Sequence, residues 1–173
     1  MTLRPATSND LTSLAQWREL DRIDLLTCRP IKDGKRVSTQ PEPITYAFFL
    51  PEQEYPIAKV SCFDFNPRNR SAEFGYRVHP DFRRKGIGTE MLSVFFDQMF
   101  SAAELNKLYC QTGAFNQPSI RLLEKLGLHR DAVLREHHEL DGKLWDDYVY
   151  SILDREWLGS RSDQAQPQGI LNP

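Results

Sequence analysis

The feature that most constrains this chain is a change of period at Gly86-Ile87-Gly88. Before it come three strand-like runs, Thr45 to Leu50, Ile57 to Phe65 and Ser71 to Val78. The turn stretches Pro51-Glu-Gln-Glu54 and Asn66-Pro-Arg-Asn69 separate them. Runs joined by such short turns have room only for antiparallel pairing, because a parallel return needs a crossover of about a dozen residues or more. After the two glycines, Ile87, Met91, Leu92, Phe95, Phe96 and Met99 recur at the spacing of one helix face.

The remaining segments extend this pattern. Leu3-Arg4-Pro5 reads as an opening strand, and Ser8-Asn9-Asp10 offers an N-cap before Leu11, Leu14, Ala15 and Arg18. A second helical piece is expected over Asp21 to Thr27, then a loop over Arg29 to Pro43. Lys107 to Thr112 returns to strand. Gln117-Pro118 opens a helix carrying Ile120, Leu122, Leu123 and Leu126, which Gly127 ends. Ala132 to Leu140 and Leu144 to Ile152 flank Asp141-Gly142, a strong hairpin signal. The order β-α-α-β-β-β-α-β-α-β-β describes an α/β domain whose mixed, mostly antiparallel sheet of about seven strands is flanked by helices. One domain is expected over residues 1–158, with residues 159–173, rich in Gln and Pro, as a flexible tail.

Composition excludes several classes of function. Lys and Arg number 22 against 24 Asp and Glu, so the chain has no global basic field for nucleic acid or an anionic membrane. The longest strongly apolar run, Tyr46 to Leu50, falls far below the roughly 20 residues of a membrane span. Met1 to Asp10 lacks the apolar core of a secretory signal. Cys28, Cys62 and Cys110 are widely spaced without a CxxC pair. His137-His138-Glu139 lacks the second histidine of a metal-binding helix, Gly142 standing in its place. A cytoplasmic protein with no metal centre is expected.

The chemistry concentrates between Glu73 and Thr89. A strand ends at His79-Pro80, and the cations Arg83, Arg84 and Lys85 with Gly86 and Gly88 then lead directly into a helix. Glycines let backbone approach a ligand, and the first helical turn offers free N–H groups to negative charge. This is a phosphate-binding loop in physical terms, or else a basic turn that caps a helix. The spacing is neither that of a P-loop nor of a dinucleotide fingerprint, since Met91 stands where a third glycine belongs.

Arg83-Arg-Lys-Gly86-Ile-Gly88 resembles the acyl-CoA pyrophosphate loop of the GNAT superfamily of N-acetyltransferases. Ala72 to Pro80 is similar to that family's fourth strand, and Asn116-Gln-Pro-Ser119 through Gly127 to its second motif. Leu140 to Val149 resembles the ribosomal-protein (RimJ/RimL-like) branch. The resemblance implies bound acetyl-CoA. Backbone of Tyr76, Arg77 and Val78 would pair with pantetheine, and Arg83, Arg84, Lys85, Gly86, Ile87, Gly88 and Thr89 would hold the pyrophosphate. Asn116 would reach the pantetheine arm, cap its own helix, or do both.

For the reaction, the resemblance implies direct attack of an amine on the thioester within a ternary complex. The N–H of Val78 suits the thioester carbonyl, and Ser119 suits the departing sulfur, or only its own helix turn. Glu73 and His138 are alternative bases, beside a chain of water; Glu139 falls on the face opposite His138. The acceptor is expected to be a protein N-terminus, with a polyamine or antibiotic as alternative, and a non-catalytic acyl-CoA-binding module as the other rival. Trp17, Arg18, Glu19, Asp24, Trp145, Asp146 and Asp147 fall in the segments that would form its pocket, with at most one of the last two pointing inward. Trp145, Tyr148 and Tyr150 fit either a homodimer interface or core packing.

Overall fold

In a computed structural model of the chain, residues 1–18, 20, 31–32, 35–36, 43–102 and 104–165 are described. Strand β1 (Thr2–Pro5) leads into helix α1 (Ser8–Ala15). The N-cap is Thr7, one residue ahead of the expected Ser8-Asn9-Asp10. Asp10 decides this, because it stands at the third helical position and returns the bond. The Thr7 hydroxyl accepts from the Asp10 N–H at 3.3 Å, and the Asp10 carboxylate accepts the Thr7 N–H at 2.7 Å. Arg4 donates to the same carboxylate at 2.6 Å, and this bond leads the effects that hold the Asp10 pKa down at about 2.

Strands β4 (Ile44–Phe49), β5 (Ala58–Asn66) and β6 (Ser71–Val78) form the expected antiparallel meander. Strand β7 (Lys107–Gly113) follows helix α2 (Ile87–Ala102); β8 (His129–Leu140) and β9 (Lys143–Leu153) follow helix α3 (Gln117–Lys125). The sheet runs β1-β4-β5-β6-β7-β9-β8, and its one parallel pair is β6 with β7. Within the stretch read as a loop, β2 (Ile31–Lys32) and β3 (Lys35–Arg36) make a separate two-stranded ribbon. The helical piece expected over Asp21 to Thr27 lies outside the described residues.

Helix α4 (Asp154–Ala165) runs across the boundary set at residue 159, where the tail was expected. Its sequence has no apolar stripe and one main anchor. Trp157 is buried edge-on against Phe96 at 5.3 Å, and its indole N–H donates to Asp97 at 2.8 Å. Residues 166–173 lie outside the described residues.

Helix α2 buries the face its spacing predicts: Ile87, Met91, Leu92, Phe95, Phe96 and Met99, joined by Phe100. Phe95 and Phe96 meet Phe74 of β6 at ring distances of 6.0 and 5.3 Å. Each buried Phe contributes about 1.5–3 kcal/mol, so this contact locks α2, and the loop before it, onto β6.

Beyond this lock the sheet opens. Strands β6 and β7 pair only through Ser71–Lys107, Ala72–Leu108 and Glu73–Tyr109. Past Glu73, β6 continues to Val78 on β5 alone, and β7 continues to Gly113 on β9 alone.

Candidate active site

The opening exposes a backbone edge. His79 donates its N–H to the Ile57 carbonyl of the segment leading into β5, in register with Ala58–Val78. By alternation Arg77 also faces β5, while the N–H and C=O groups of Tyr76 and Val78 face the gap. Two of the three strand residues expected to meet pantetheine, Tyr76 and Val78, therefore turn their backbone to the gap. Arg77 does not: its guanidinium lies on the other face, donating to the Trp17 carbonyl at 2.5 Å with the Trp17 ring 5.7 Å away. Arg83 reaches back along the edge, its Nε donating to the Val78 carbonyl at 3.1 Å.

The basic loop closes one end of the gap. Arg84 and Gly86 have φ of 58° and 79°, a left-handed pair of conformations that Gly86 adopts at no steric cost. The first helical bond beyond the loop is Glu90 N–H to Gly86 C=O, so the N–H groups of Ile87, Gly88 and Thr89 precede any intrahelical acceptor. Gly88 has a second reason to be glycine. A Cβ there would come within 2.9 Å of Leu122 on α3 and 3.6 Å of Val78 on β6. The first turn of α2 is thus pressed between the end of β6 and α3, which brings three cations and a set of free N–H groups to the mouth of the gap. That arrangement fits a diphosphate.

On the helix-covered face, Tyr76 meets Ser119. Their hydroxyl oxygens are 2.7 Å apart, joining β6 to the first turn of α3. Burial pushes the Tyr76 pKa well above the usual phenol value, so the hydroxyl keeps its proton. Asn116 is the N-cap: its Oδ1 accepts the Ser119 N–H at 3.4 Å, and Pro118 stands in the first turn. Its amide NH2 has no hydrogen bond within the described residues and is the part left for a ligand. Behind the helix, Gly127 takes φ of 83° and Leu128 donates back to Leu123 at 3.0 Å, while Tyr150 of β9 donates to Glu124 at 2.9 Å. These contacts hold Ser119 on a rigid support.

The opposite face carries Glu73, Arg77, Gln111 and Asp147, all buried or half-buried. Glu73 sits at the last closed pair, opposite Tyr109. Asp147 is fully buried and stands opposite Gly113 at the open end of β7. Its carboxylate accepts from Gln111 at 2.8 Å and lies 3.4 Å from Nδ1 of buried His138. Asp146 is the one turned away, accepting the Glu136 N–H at 2.9 Å. Between Leu134 and His138 three residues of β8 oppose Asp146 alone, and this bulge fixes where His138 falls. Glu139 points outward and accepts the Gly142 N–H at 2.6 Å.

The sequence matches the family described as "Acetyltransferase (GNAT) domain" over residues 1–129. The chain belongs to this family. It is an N-acetyltransferase, an acyltransferase by reaction class. Over 170 residues it is 25% identical to an uncharacterized N-acetyltransferase, p20, of Bacillus licheniformis, covering 92% of this chain and 96% of that one. A putative ribosomal N-acetyltransferase of Bacillus subtilis (strain 168), YdaF, is 29% identical over 102 residues, 59% of this chain and 56% of that one. Among solved structures, a spermidine N-acetyltransferase from Vibrio cholerae in complex with CoA and spermine superposes with a TM-score of 0.79 at 21% identity. The superposition covers 91% of this chain and 97% of that one, and at this identity it shows the shared fold.

The acetyltransferase therefore groups its anticipated residues around one gap but on two faces. Tyr76, Val78, Arg83 to Thr89, Asn116 and Ser119 border the edge, the loop and the helix face; Glu73, Arg77 and His138 belong to the other. Trp17, Trp145 and Asp147 also lie on that second face, whereas Glu19, Asp24 and the Arg18 side chain lie outside the description. Sequence reasoning listed Tyr76 for its backbone and missed its hydroxyl. It also missed Gln111 and the ring of Phe115, because their partners are distant in the chain. Alternation along the strand from Phe74 to Tyr76 was the available signal for the hydroxyl. Among the described residues no group of three His, Cys, Asp or Glu is placed to hold a metal, and no helix is long and apolar enough to cross a membrane.

Proposed function

We propose that this acetyltransferase moves the acetyl group of acetyl-CoA onto the α-amine of a protein N-terminus, by direct attack in a ternary complex, as the RimJ/RimL-like branch does. The observation that carries the reading is the parting of β6 from β7 beside a glycine-rich cationic loop, with Tyr76 and Ser119 paired on the gap's helix face. When bound there, acetyl-CoA supplies the activated acyl group and a thiolate leaving group.

The chain's residues divide the work. Arg84, Lys85 and the N–H groups of Ile87 to Thr89 take the diphosphate, and the Asn116 amide takes a pantetheine carbonyl. The N–H of Val78 is the donor for the thioester carbonyl oxygen as negative charge develops there. Tyr76 donates its proton to Ser119 Oγ, which leaves the Ser119 O–H to hydrogen-bond the departing sulfur. Glu73 and His138 face the acceptor side, and one of them takes the amine's proton. A protein α-amine has an ordinary pKa near ~8, against ~10 for an alkylamine, so a base of moderate strength is enough.

The test offers the purified protein acetyl-CoA with three acceptors: a peptide with a free N-terminus, the same peptide N-blocked but containing lysine, and spermidine. Acetyl found by mass spectrometry on the α-amine alone supports the reading. Faster turnover of spermidine moves the acceptor to polyamines. Tight acetyl-CoA binding without turnover of any acceptor makes the domain a binding module instead.

A further inference from the structure

We propose that Trp17 is a positioning residue for acetyl-CoA, acting at a distance: through His79 and Phe82 it sets the cationic loop that takes the diphosphate. The proposal deepens the acetyl-CoA reading above and rests on it.

The argument begins with where Trp17 is buried. It belongs to the 3-10 turn Gln16–Arg18 that follows α1, and only 5% of it is exposed. Yet among the described residues it stands apart from the main cluster of buried apolar side chains. A large indole buried outside the core has partners of another kind, and here they are the last residues of β6. Arg77 and His79 point to one face by alternation, and the indole bridges them. The His79 ring meets it edge-on at 5.2 Å and the Arg77 guanidinium lies 5.7 Å from it. Arg77 also donates to the Trp17 carbonyl at 2.5 Å, which fixes the turn that carries the ring.

The contacts continue into the loop. His79 Nδ1 accepts the Asp81 N–H at 3.3 Å, and the His79 carbonyl accepts the Phe82 N–H at 2.9 Å. These bonds wind Pro80–Phe82 into a 3-10 turn, which brings Phe82 back edge-on to the His79 ring at 5.8 Å. Phe82 in turn seats Lys85, whose Nζ lies 5.4 Å from its ring centre, one residue before Gly86. Trp17, His79, Phe82 and Lys85 thus make a continuous chain of ring contacts, from the segment after α1 to a cation of the loop.

The two parts of the cofactor depend on this chain differently. The strand edge has its own support, since Val78 pairs with Ala58 and the His79 N–H donates to the Ile57 carbonyl at 2.9 Å. The loop beyond Pro80 leaves the sheet and leans on the rings. With the chain cut, Lys85 and the N–H groups after it must be ordered by the diphosphate itself, and that cost weakens binding. Pantetheine, lying along the strand edge, is spared.

The experiment compares two thioesters that differ in the part the loop holds. Acetyl-CoA binding is measured by calorimetry, and that of acetylpantetheine, which lacks the nucleotide and its diphosphate, by ligand-observed NMR. Trp17→Ala and His79→Leu are each expected to weaken acetyl-CoA about tenfold while acetylpantetheine stays within about twofold. Trp17→Phe keeps a ring against His79 and is expected to recover most of the affinity. A tryptophan that only stabilises the fold would move both ligands alike or neither, and either result overturns the proposal. Hydrogen exchange reads the same chain without ligand. The amides of residues 81–89 should exchange faster in Trp17→Ala and His79→Leu, but not in Thr7→Ala, which weakens α1 at its other end. Unchanged exchange in the first two also overturns the proposal. A parent that binds neither thioester overturns the acetyl-CoA reading instead, and exchange in the loop still decides the positioning.

Discussion

At the parting of β6 and β7 the two faces of the sheet are made of different material. The helix-covered face is aromatic and aliphatic, with Phe74, Phe95 and Phe96 in contact and the Tyr76–Ser119 pair at its border. The other face is polar, with Glu73, Arg77, Gln111 and Asp147 under aromatic partners that include Trp17 and Phe115. The difference teaches how one gap can serve two reactants. The apolar face anchors the loop and Ser119 by burial, which is strong and insensitive to pH. The polar face depends on hydrogen bonds between buried groups, each of which matters little if satisfied and much if broken.

Truncation should separate these materials. Phe96→Ala removes a fully buried ring at the centre of the anchored face, and a loss of about 3–5 kcal/mol in unfolding free energy is expected by denaturant titration. A loss below about 1 kcal/mol would mean that α2 is held elsewhere. Ser119→Ala strips the buried Tyr76 hydroxyl of its partner and should cost about 1–3 kcal/mol of stability, while acetyl-CoA affinity stays and kcat falls about 10²-fold, equivalent to about 2.7 kcal/mol. Unchanged kcat would reduce Ser119 to a residue of its helix turn.

Smaller effects probe the edges of the comparison. Gly86→Asp puts a side chain at φ of 79° and a negative charge in the loop, and should weaken acetyl-CoA at least about tenfold by calorimetry, or about 1.4 kcal/mol. Thr7→Ala removes the cap of α1, far from the gap; a loss of about 1 kcal/mol without any change in acetyl-CoA affinity is expected. The Asp10 carboxyl gives that end of the sheet a pH signature. Its folded pKa of about 2 lies below the unfolded value of 3.8, so its contribution is complete above the unfolded value and lost as pH falls through the folded one. The stability advantage of the parent over Asp10→Asn should therefore shrink between about pH 4 and pH 2 in thermal melts, and an advantage constant over that window would sink the assignment.

The same contrast explains what could be read from the chain. Period and punctuation identify an apolar face, so α2 follows from Ile87, Met91, Leu92, Phe95 and Phe96, and the closing hairpin from Asp141 and Gly142, whose φ values are 54° and 77°. The cationic glycine loop was legible because it is contiguous, with Arg83 to Gly88 carrying charge and glycines together. The polar face was not. Gln111, Asp147 and His138 come from three strands, and a bulge before His138 that no local signal announces sets its register. Helix α4 escaped notice because Trp157 anchors it without a periodic stripe, and Thr7 displaced Ser8 as cap through a carboxylate three residues on.

The most direct test of the central claim, that the gap takes acetyl-CoA between an apolar and a polar face, is calorimetric titration of the purified protein with acetyl-CoA beside desulfo-CoA and ATP. The account expects micromolar binding of acetyl-CoA, little affinity for ATP, and desulfo-CoA bound within about tenfold, since loop and strand edge hold the parts the two share. No heat of binding at millimolar acetyl-CoA would contradict it, leaving the basic loop a helix cap and the parted strands an empty geometry.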